Sequence, residues 1–240
     1  MDYWLKGRDN GMAGMPKVQY YVMGRNEWRS ASAWPLPTAQ LTKFYLTSDG
    51  RANSRFGTGE LVREPSRAAA ADQFSYDPAA PPGSFDQSDV EMRHDVLVYS
   101  TPPLEQGIEV TGPVEAKLYV SSSAKDTDFT VKLIDVYPDG SAYNVQEGIL
   151  RARYREGWNK QVLMTPGQVY PITVNVHATS NYFGPGHRIR VEVSSSNFPR
   201  FDRNLNTGGD NSRDTAMVVA RNVVHHSAKY PSHLVLPVVP

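Results

Sequence analysis

Apolar and polar side chains alternate along much of this chain, and the stretch HRIRVEVSSSNFPRFDRNLNTGG at residues 187–209 shows the pattern most clearly. The alternation puts apolar side chains on one face and charged ones on the other, namely Ile189, Val191 and Val193 against Arg188, Arg190 and Glu192. A period of two residues is typical of a β-strand with one buried face. Because serine, asparagine and proline commonly end strands, we interpret the aromatic and basic loop that follows first as a structural strand end and second as a contact surface.

A second strand ends in the same way. The stretch VEAKLYVSSSAKDTDFTVKLIDVYPDG begins at Val114, alternates as far as Val120 and then reaches three serines at residues 121–123. Since the strand at residues 187–193 also runs into three serines, we predict that the two strands are neighbours in one sheet.

Short alternating segments recur along the rest of the chain, and turn residues separate them. They lie at residues 18–22, 41–46, 96–100, 108–110, 129–136, 143–154, 169–176, 217–224 and 233–239. Proline presets φ and glycine accepts a positive φ, so Pro138, Asp139 and Gly140 predict a hairpin between two of these strands. No stretch keeps a helical period over three turns, and the pattern therefore favours an all-β protein with two antiparallel sheets packed as a sandwich.

Three parts of the chain lack this alternation. The sequence predicts only a very short helix at residues 1–6, because glycines and a proline follow closely and stop its propagation. Residues 26–37 are predicted to be a loop in which Trp28 and Trp34 pack into one end of the sandwich. Residues 51–87 are predicted to be mostly loop, and a connection of that length is expected to cover a partner surface.

Composition excludes several classes of protein. The 240 residues are 40% hydrophobic, which is enough for an ordinary core, and 25 basic residues balance 25 acidic ones. A formal net charge of zero makes nucleic acid and anionic membranes unlikely partners. The absence of cysteine excludes disulfides and thiolate metal sites, and no apolar run is long enough for a membrane span or a signal peptide. We expect a cytoplasmic location, and secretion of a longer parent through its own N-terminus stays open.

The sequence contains no recognisable catalytic or metal motif. The G-x-S-x-G elbow that places a hydrolase serine above its sheet is absent. Asp126 and Asp128 alternate across one residue, so both carboxylates could bind a hard cation such as calcium, or they could accept hydrogen bonds from backbone amides. We favour the second alternative because no glycine-bearing calcium loop surrounds them. His225 and His226 are adjacent on a predicted strand and should face opposite sides, so we predict no metal and no cofactor.

Several long segments together carry a family resemblance. They are DYWLKGRDNG at 2–11, VMGRNEWRSASAWPLP at 22–37, DVLVYST at 95–101, DTDFTVKLIDVYPDG at 126–140 and SSSNFPRFDRN at 194–204. These segments resemble the C-terminal region of the cocaine esterase and X-Pro dipeptidyl-peptidase family of serine hydrolases. The resemblance implies a jelly-roll antiparallel β-sandwich, similar to galactose-binding domains, at residues 17–240. Residues 1–16 would then be a linker and the remnant of a preceding α/β-hydrolase domain.

The same resemblance implies where function resides. In that family the Ser, Asp and His of the triad all precede the matching region, so no residue of this chain is expected to be catalytic. We predict a non-catalytic domain that supports an α/β-hydrolase domain located upstream of Met1 and shapes its active-site cleft. The residues predicted to line the domain interface or the cleft are Trp28, Phe85, Asp126, Asp128, Phe198, Arg200 and Phe201.

Three further expectations concern the surface. Trp4, Trp28 and Phe85 should form an exposed apolar patch larger than that of a typical monomer, and a homodimer would cover it. The charged side chains of the 187–209 stretch are expected to form ion pairs across the domain interface, namely Arg200, Asp202 and Arg203. In the family, the segment that corresponds to residues 51–87 helps to line the acyl pocket of the hydrolase.

Two alternative functions stay open from the sequence. Jelly-roll sandwiches often bind carbohydrates, so the chain could be a free-standing carbohydrate-binding module. Its stacking platform would be drawn from Trp28, Trp34, Tyr182, Phe183, Phe198 and Phe201. The third and weaker alternative is an independent metal hydrolase that uses Asp126 and Asp128. The substrate of a parent enzyme is not indicated by the sequence.

Overall fold

The structure is a computed structural model that describes residues 1–67, 71–81 and 90–240. A short helix, α1 (Asp2–Lys6), and a 3₁₀ turn (Met12–Gly14) precede the strands, and a second 3₁₀ turn (Ala152–Tyr154) lies among them. The strands are β1 (Val18–Val22), β2 (Glu27–Ala31), β3 (Gln40–Thr47), β4 (Glu60–Val62), β5 (Ala71–Tyr76), β6 (Leu97–Ser100), β7 (Ile108–Ser122), β8 (Asp128–Val136), β9 (Ala142–Arg151), β10 (Tyr170–Phe183), β11 (Arg188–Ser194), β12 (Ala220–His225) and β13 (His233–Val239). None of the helices among these described residues could span a membrane.

Eleven of the strands form one curled sheet, in the order β5-β12-β7-β13-β3-β4-β6-β11-β8-β9, with β10 paired along β7. All of its pairings are antiparallel except the short contact between β4 and β6. The sheet folds back on itself so that β10 lies against β9. The prediction of an all-β antiparallel sandwich is therefore confirmed.

The sandwich encloses one main hydrophobic core. The apolar positions of β7, from Val114 to Val120, and those of β11, from Ile189 to Val193, all face this core. The two-residue alternation puts them there, because every second side chain of a strand points to the same side. The largest side chains with almost no solvent exposure include Phe129 and Phe183.

The predicted hairpin at residues 138–140 joins β8 and β9. The Tyr137 N–H donates to the Ser141 carbonyl oxygen at 2.8 Å, and the Gly140 N–H donates to the Tyr137 carbonyl oxygen at 2.9 Å. Gly140 has a φ of 89°, a value that a residue without a Cβ atom adopts at no steric cost. The turn chemistry read from the sequence is thus confirmed.

The predicted pairing of the two strands that end in serines is wrong. β7 pairs with β10, β12 and β13, whereas β11 pairs with β6 and β8. A shared strand ending is a local feature that is compatible with many neighbours. The choice of neighbour is made by side-chain packing over the whole sheet, which the two serine triplets do not report.

The prediction that residues 51–87 are mostly loop is also partly wrong. This segment contains β4 and β5, and β5 buries Asp72, Phe74 and Tyr76 on one face. The alternation in β5 is hidden in the sequence because one of its buried positions is an aspartate. Phe85 belongs to the same segment but lies outside the described residues.

Gly148 of β9 lies where two strands approach most closely, which leads to a test of the packing. A Cβ atom at this position would be 2.0 Å from the carbonyl oxygen of Asn175 in β10. We expect Gly148→Ala to lower the free energy of unfolding by about 2–3 kcal/mol, because the backbone of β10 must move. Urea denaturation measures the change.

Gly14 provides the matched control for this substitution. A Cβ atom at Gly14 would meet no other atom within 4 Å. Gly14→Ala should therefore change the free energy of unfolding by less than about 0.5 kcal/mol. Equal effects of the two substitutions would contradict the close approach of β9 and β10.

Candidate functional site

Two aspartates lie in the interior at the start of β8. The side chains of Asp126 and Asp128 are 0% and 1% exposed. Buried carboxylates need partners, and here each has an arginine. Arg153 Nε donates to Asp126 Oδ2 at 2.8 Å, and Arg151 donates through Nε and Nη2 to the two oxygens of Asp128 at 2.9 and 3.0 Å. The antiparallel pairing of β8 with β9 places Asp128 directly opposite Arg151.

Asn204 joins both aspartates to the loop at residues 195–214, which we call the anchored loop. Its Nδ2 donates to Asp126 Oδ2 at 2.8 Å and to Asp128 Oδ1 at 2.7 Å, and the residue has no solvent exposure. Arg153 also donates to the Gly209 carbonyl oxygen at 3.0 Å. The buried charges therefore fix the path of the loop that follows β11.

Burial and ion pairing act in opposite directions on Asp128. Removal from water disfavours its ionised form and raises the pKa of the carboxyl group, and the hydrogen bonds from Arg151 oppose that rise. Asp126 also accepts a hydrogen bond from the Arg153 backbone N–H at 2.9 Å, which is the type of contact that we favoured over a calcium site. Among the described residues no group of three or more His, Cys, Asp or Glu side chains has a metal-binding arrangement.

Glu147 of β9 holds the beginning of the anchored loop. It is 4% exposed, accepts a hydrogen bond from Asn197 Nδ2 at 2.8 Å and forms an ion pair with Arg200. Phe198, between these two partners, keeps 40% of its surface exposed, and the guanidinium group of Arg203 lies 5.2 Å from the centre of its ring. The predicted ion pair of Arg200 across a domain interface is thus an ion pair within this domain.

The charged face of β11 is buried, although one solvated face was predicted for this strand. Glu192 lies opposite Lys132 of β8, and Lys132 lies opposite Glu147 of β9, so three charged residues form a row across the sheet. Glu192 and Lys132 are each 2% exposed. Beside this row, Arg190 donates to Glu91 Oε2 at 2.6 Å. Glu91 contacts this face from outside the sheet and so does Asn197 of the anchored loop, and a period-two pattern does not report such contacts.

Burial has a strong effect on Glu192. Removal from water, with the nearby Glu91 as a second cause, raises the pKa of Glu192 to about 8. Burial also lowers the pKa of Lys132, while the two glutamates of the row counteract that change. Burial in this row therefore favours the neutral form of the Glu192 carboxyl group.

The anchored loop and the 3₁₀ turn after β9 border a polar cleft of about 540 Å³. Arg151 and Arg153 lie in its wall together with Tyr154, Asp202 and Asp210. Both arginines already have carboxylate partners. The cleft is thus a consequence of the loop anchor, and it offers hydrogen-bonding groups at the surface.

A half-buried Ser lies beside a buried His and a buried Asp in another part of the sandwich, but their geometry is not that of a catalytic triad. His226 Nε2 is 2.9 Å from Asp72 Oδ2 and 3.2 Å from Ser48 Oγ. In a triad the acid and the nucleophile bind opposite ring nitrogens, whereas here both bind the same one. Burial would raise the pKa of Asp72, but hydrogen bonds from His226, the Ala52 backbone N–H, Ser48 and Tyr99 together lower it. The cluster fastens the chain after β3 to β5.

The structure brings most, but not all, of the predicted site residues together. The anchored loop contains Phe198, Arg200 and Phe201. Asp126 and Asp128 accept hydrogen bonds from Asn204 of the same loop. Phe201 is partly buried, and the Arg200 guanidinium lies 5.8 Å from its ring centre.

Trp28 lies elsewhere, in a hairpin formed by β1 and β2. The prediction that Trp28 belongs to a loop and packs into the sandwich is wrong, since it sits in β2 and is 72% exposed. Trp34 is 41% exposed and lies outside the named strands, as predicted. Trp4 is 76% exposed, as the patch hypothesis requires, whereas Phe85 cannot be placed because it lies outside the described residues.

The side chains that hold the anchored loop were missed from the sequence. They are Glu147, Arg151, Arg153 and Asn204. One signal was present in part, because Asp128 stands ten residues before Pro138 and Arg151 eleven residues after Gly140, so a hairpin with that turn brings the two pairs close together. A one-residue register shift between Leu133 and Ile134 then places Asp128 directly opposite Arg151.

The proposed carbohydrate platform is not assembled. Phe183 is fully buried, and the guanidinium group of Arg25 covers the ring of Tyr182 at 3.9 Å from its centre. Trp28 packs edge-on against Tyr21 with an angle of 65° between the ring planes. These residues offer no common flat surface for a sugar ring.

Asn204 gives a direct test of the loop anchor. We expect Asn204→Ala to lower the free energy of unfolding by about 3 kcal/mol, because both buried aspartates lose a hydrogen-bond donor. Hydrogen exchange of the 204–209 amides should accelerate at the same time. Asn159→Ala, at an exposed position, is the control and should have an effect below about 0.5 kcal/mol. Unchanged exchange in Asn204→Ala would contradict the anchor.

Glu192 predicts a dependence of stability on pH. The pKa of Glu192 in the folded protein is raised from 4.5 to about 8. The folded state therefore keeps a proton that the unfolded state has lost, and stability falls as pH rises between these two values. This residue contributes a slope of up to about 1.4 kcal/mol per pH unit, which Glu192→Gln should remove.

Denaturation series between about pH 5 and pH 8 measure that slope. The difference between the wild-type protein and Glu192→Gln isolates this residue from other groups that titrate in the same range, such as His225, whose pKa burial lowers. Glu105→Gln, at an exposed site, should leave the slope unchanged. A Glu192→Gln variant with the wild-type slope would show that Glu192 is ionised in the folded protein.

Comparison with known proteins places this geometry in context. Residues 10–235 match the family described as the X-Pro dipeptidyl-peptidase C-terminal non-catalytic domain. The chain is 46% identical to the cocaine esterase of Rhodococcus sp. (strain MB1 Bresler) over 254 aligned residues, which cover 99% of this chain and 44% of that protein.

Two solved structures superpose closely on the chain. An aminopeptidase from the marine sediment archaeon Thaumarchaeota archaeon has a TM-score of 0.88 at 29% identity, with 100% of this chain and 43% of that chain covered. An α-amino acid ester hydrolase has a TM-score of 0.84 at 29% identity, with 93% of this chain and 41% of that chain covered. The chain thus spans less than half the length of these relatives.

Proposed function

We propose that the chain stabilises the catalytic α/β-hydrolase domain of a longer serine hydrolase and shapes one wall of its active-site cleft. This proposal starts from the fact that the chain belongs to the family of X-Pro dipeptidyl-peptidase C-terminal non-catalytic domains. The family match over most of the chain is the observation that carries this proposal. The limited share of each relative that the chain covers supports it, since more than half of the cocaine esterase lies outside the match. The catalytic domain would act on an ester, an amide or an X-Pro peptide bond.

The anchored loop is the part of the domain that suits this role best. Its backbone is held by Asn204, Arg151 and Arg153, while Phe198 and Arg200 remain at the surface. A contact loop held in one conformation loses little entropy on docking, and such preorganisation strengthens an interface. We propose that Phe198, Arg200 and Phe201 contact the catalytic domain and that Asp126 and Asp128 support them from beneath.

The other predicted features fit the same proposal. Strand β1 begins at Val18, and residues 1–17 include no buried side chain, which suits a linker at 1–16 before a sandwich at 17–240. A role of Phe85 in the cleft stays a prediction. A homodimer and a cytoplasmic location likewise stay predictions.

Activity measurements on the chain and on its parent test this function. The chain alone should unfold cooperatively but should not hydrolyse p-nitrophenyl esters or X-Pro-p-nitroanilides above a protein blank. In the full-length parent, Phe198→Ala or Arg200→Ala should raise KM or lower the melting temperature. Arg221→Ala is the control, because that residue is exposed, lies outside the anchored loop and should affect neither quantity.

Two outcomes would overturn the proposal. One is fluorophosphonate labelling of a single serine in the folded chain alone, which would mean that the domain carries its own nucleophile. The other is a parent whose KM and melting temperature are insensitive to both loop substitutions and to removal of the domain.

A further inference from the structure

The β1–β2 hairpin is a separate element at the surface of the sandwich. Its two strands pair only with each other, and Met23, at the end of β1, forms an isolated bridge to Asn181 of β10. Arg29 supports this connection by donating to Glu109 Oε2 at 2.8 Å. A two-stranded hairpin is marginally stable by itself, so it depends on what covers its faces.

The two faces of the hairpin differ in solvent exposure. The inner face includes Val22, which has no solvent exposure and packs on the sandwich. The outer face carries Tyr21 and Trp28, which stand opposite each other in the ladder. Their rings are 5.5 Å apart, yet they remain 40% and 72% exposed. Two large aromatic side chains paired on an uncovered sheet face are typical of an interaction surface.

The segment before the hairpin is equally uncovered. None of residues 1–17, all of which the structure describes, is buried. Helix α1 has five residues, too few to be stable without packing, and Trp4 and Leu5 are 76% and 74% exposed. Within the part of the chain that the structure describes, the leader and the outer hairpin face thus both remain exposed.

We propose that the catalytic domain, which precedes this domain in the parent hydrolase, docks on the outer hairpin face, with Tyr21 and Trp28 at the centre of the contact. The proposal rests on the function proposed above and names the surface for it. Family members carry this domain at the C-terminal end, so the catalytic domain joins the chain through the leader. An extended leader of residues 1–17 reaches at most about 60 Å, and the hairpin follows it directly at Val18, so the catalytic domain is tethered within reach of the hairpin. Such tethering gives about millimolar effective concentration, and a small apolar face is then enough for docking.

The charge and geometry of the face agree with this occupant. Arg29 forms ion pairs with both Glu27 and Glu109. The charge of Arg29 therefore stays paired when docking removes water from the edge of the hairpin. The two rings are inclined by 65°, so they form an apolar ridge rather than a flat platform for a sugar. A protein surface with a complementary apolar groove fits such a ridge.

Tryptophan labelling compares the isolated chain with the full-length parent. The chain has four tryptophans, and Trp28 and Trp158 are almost equally exposed, at 72% and 79%. Oxidative labelling read by mass spectrometry should modify both in the isolated chain. In the parent we expect loss of labelling at Trp28, with Trp158 as the reference for labelling efficiency.

Matched variants of the parent give a second readout. Trp28→Ala should lower the melting temperature of the parent but not that of the isolated chain, where its ring is in water. Trp158→Ala should change neither. This contrast separates lost docking from lost folding, because a merely structural role of Trp28 would destabilise the isolated chain as well.

Each outcome decides the proposal. Loss of Trp28 labelling in a parent in which Trp158 stays labelled supports it. Full labelling of Trp28 in a parent that is still sensitive to Phe198→Ala or Arg200→Ala overturns it and leaves the proposed function intact. Protection of Trp28 in the isolated chain that increases with protein concentration also overturns it, because a second copy would then be the occupant.

Discussion

The cost of burying charge governs one end of this sandwich. Asp126 and Asp128 lie in the interior, where an unpaired carboxylate would be strongly destabilising. Arg151 and Arg153 satisfy them from the end of β9, and Asn204 links both to the loop after β11. The register of the β8–β9 hairpin, the turn after β9 and the path of the anchored loop all follow from this requirement. The result is a rigid surface loop at the end of a strand.

The same physics shapes the face of the sheet that carries Glu192 and Lys132. Both residues are buried together with Glu147, although their strands already bury an apolar face in the core. Such strands are covered on both sides. One row of side chains therefore runs from Glu192 through Lys132 and Glu147 to Arg200 of the anchored loop. A domain with only one buried face would have no such row between its interior and this loop.

Compared with a protein that is stable as a monomer, this domain buries several charged side chains and exposes several large aromatic ones. Charged groups such as Asp128 and Glu192 are buried, whereas Trp4 and Trp28 are exposed. Buried, paired charges give the domain a defined shape, and exposed aromatic rings give it surfaces that gain free energy from a partner. This combination is the physical counterpart of the family match, which describes a domain that works as part of a longer chain.

The sequence by itself determined the all-β class, the position of most strands and the hairpin at Pro138–Gly140, because period-two alternation and turn chemistry are local properties of the chain. The family resemblance also came from the sequence alone. Only the tertiary structure decided which strands are neighbours, that the charged face of β11 is buried, and that Asn204 bridges two aspartates. Those outcomes depend on contacts between residues far apart in the chain, and a local pattern does not encode them. Trp28 illustrates the limit of sequence patterns, since a tryptophan is equally apolar in a core and at an exposed position on a strand.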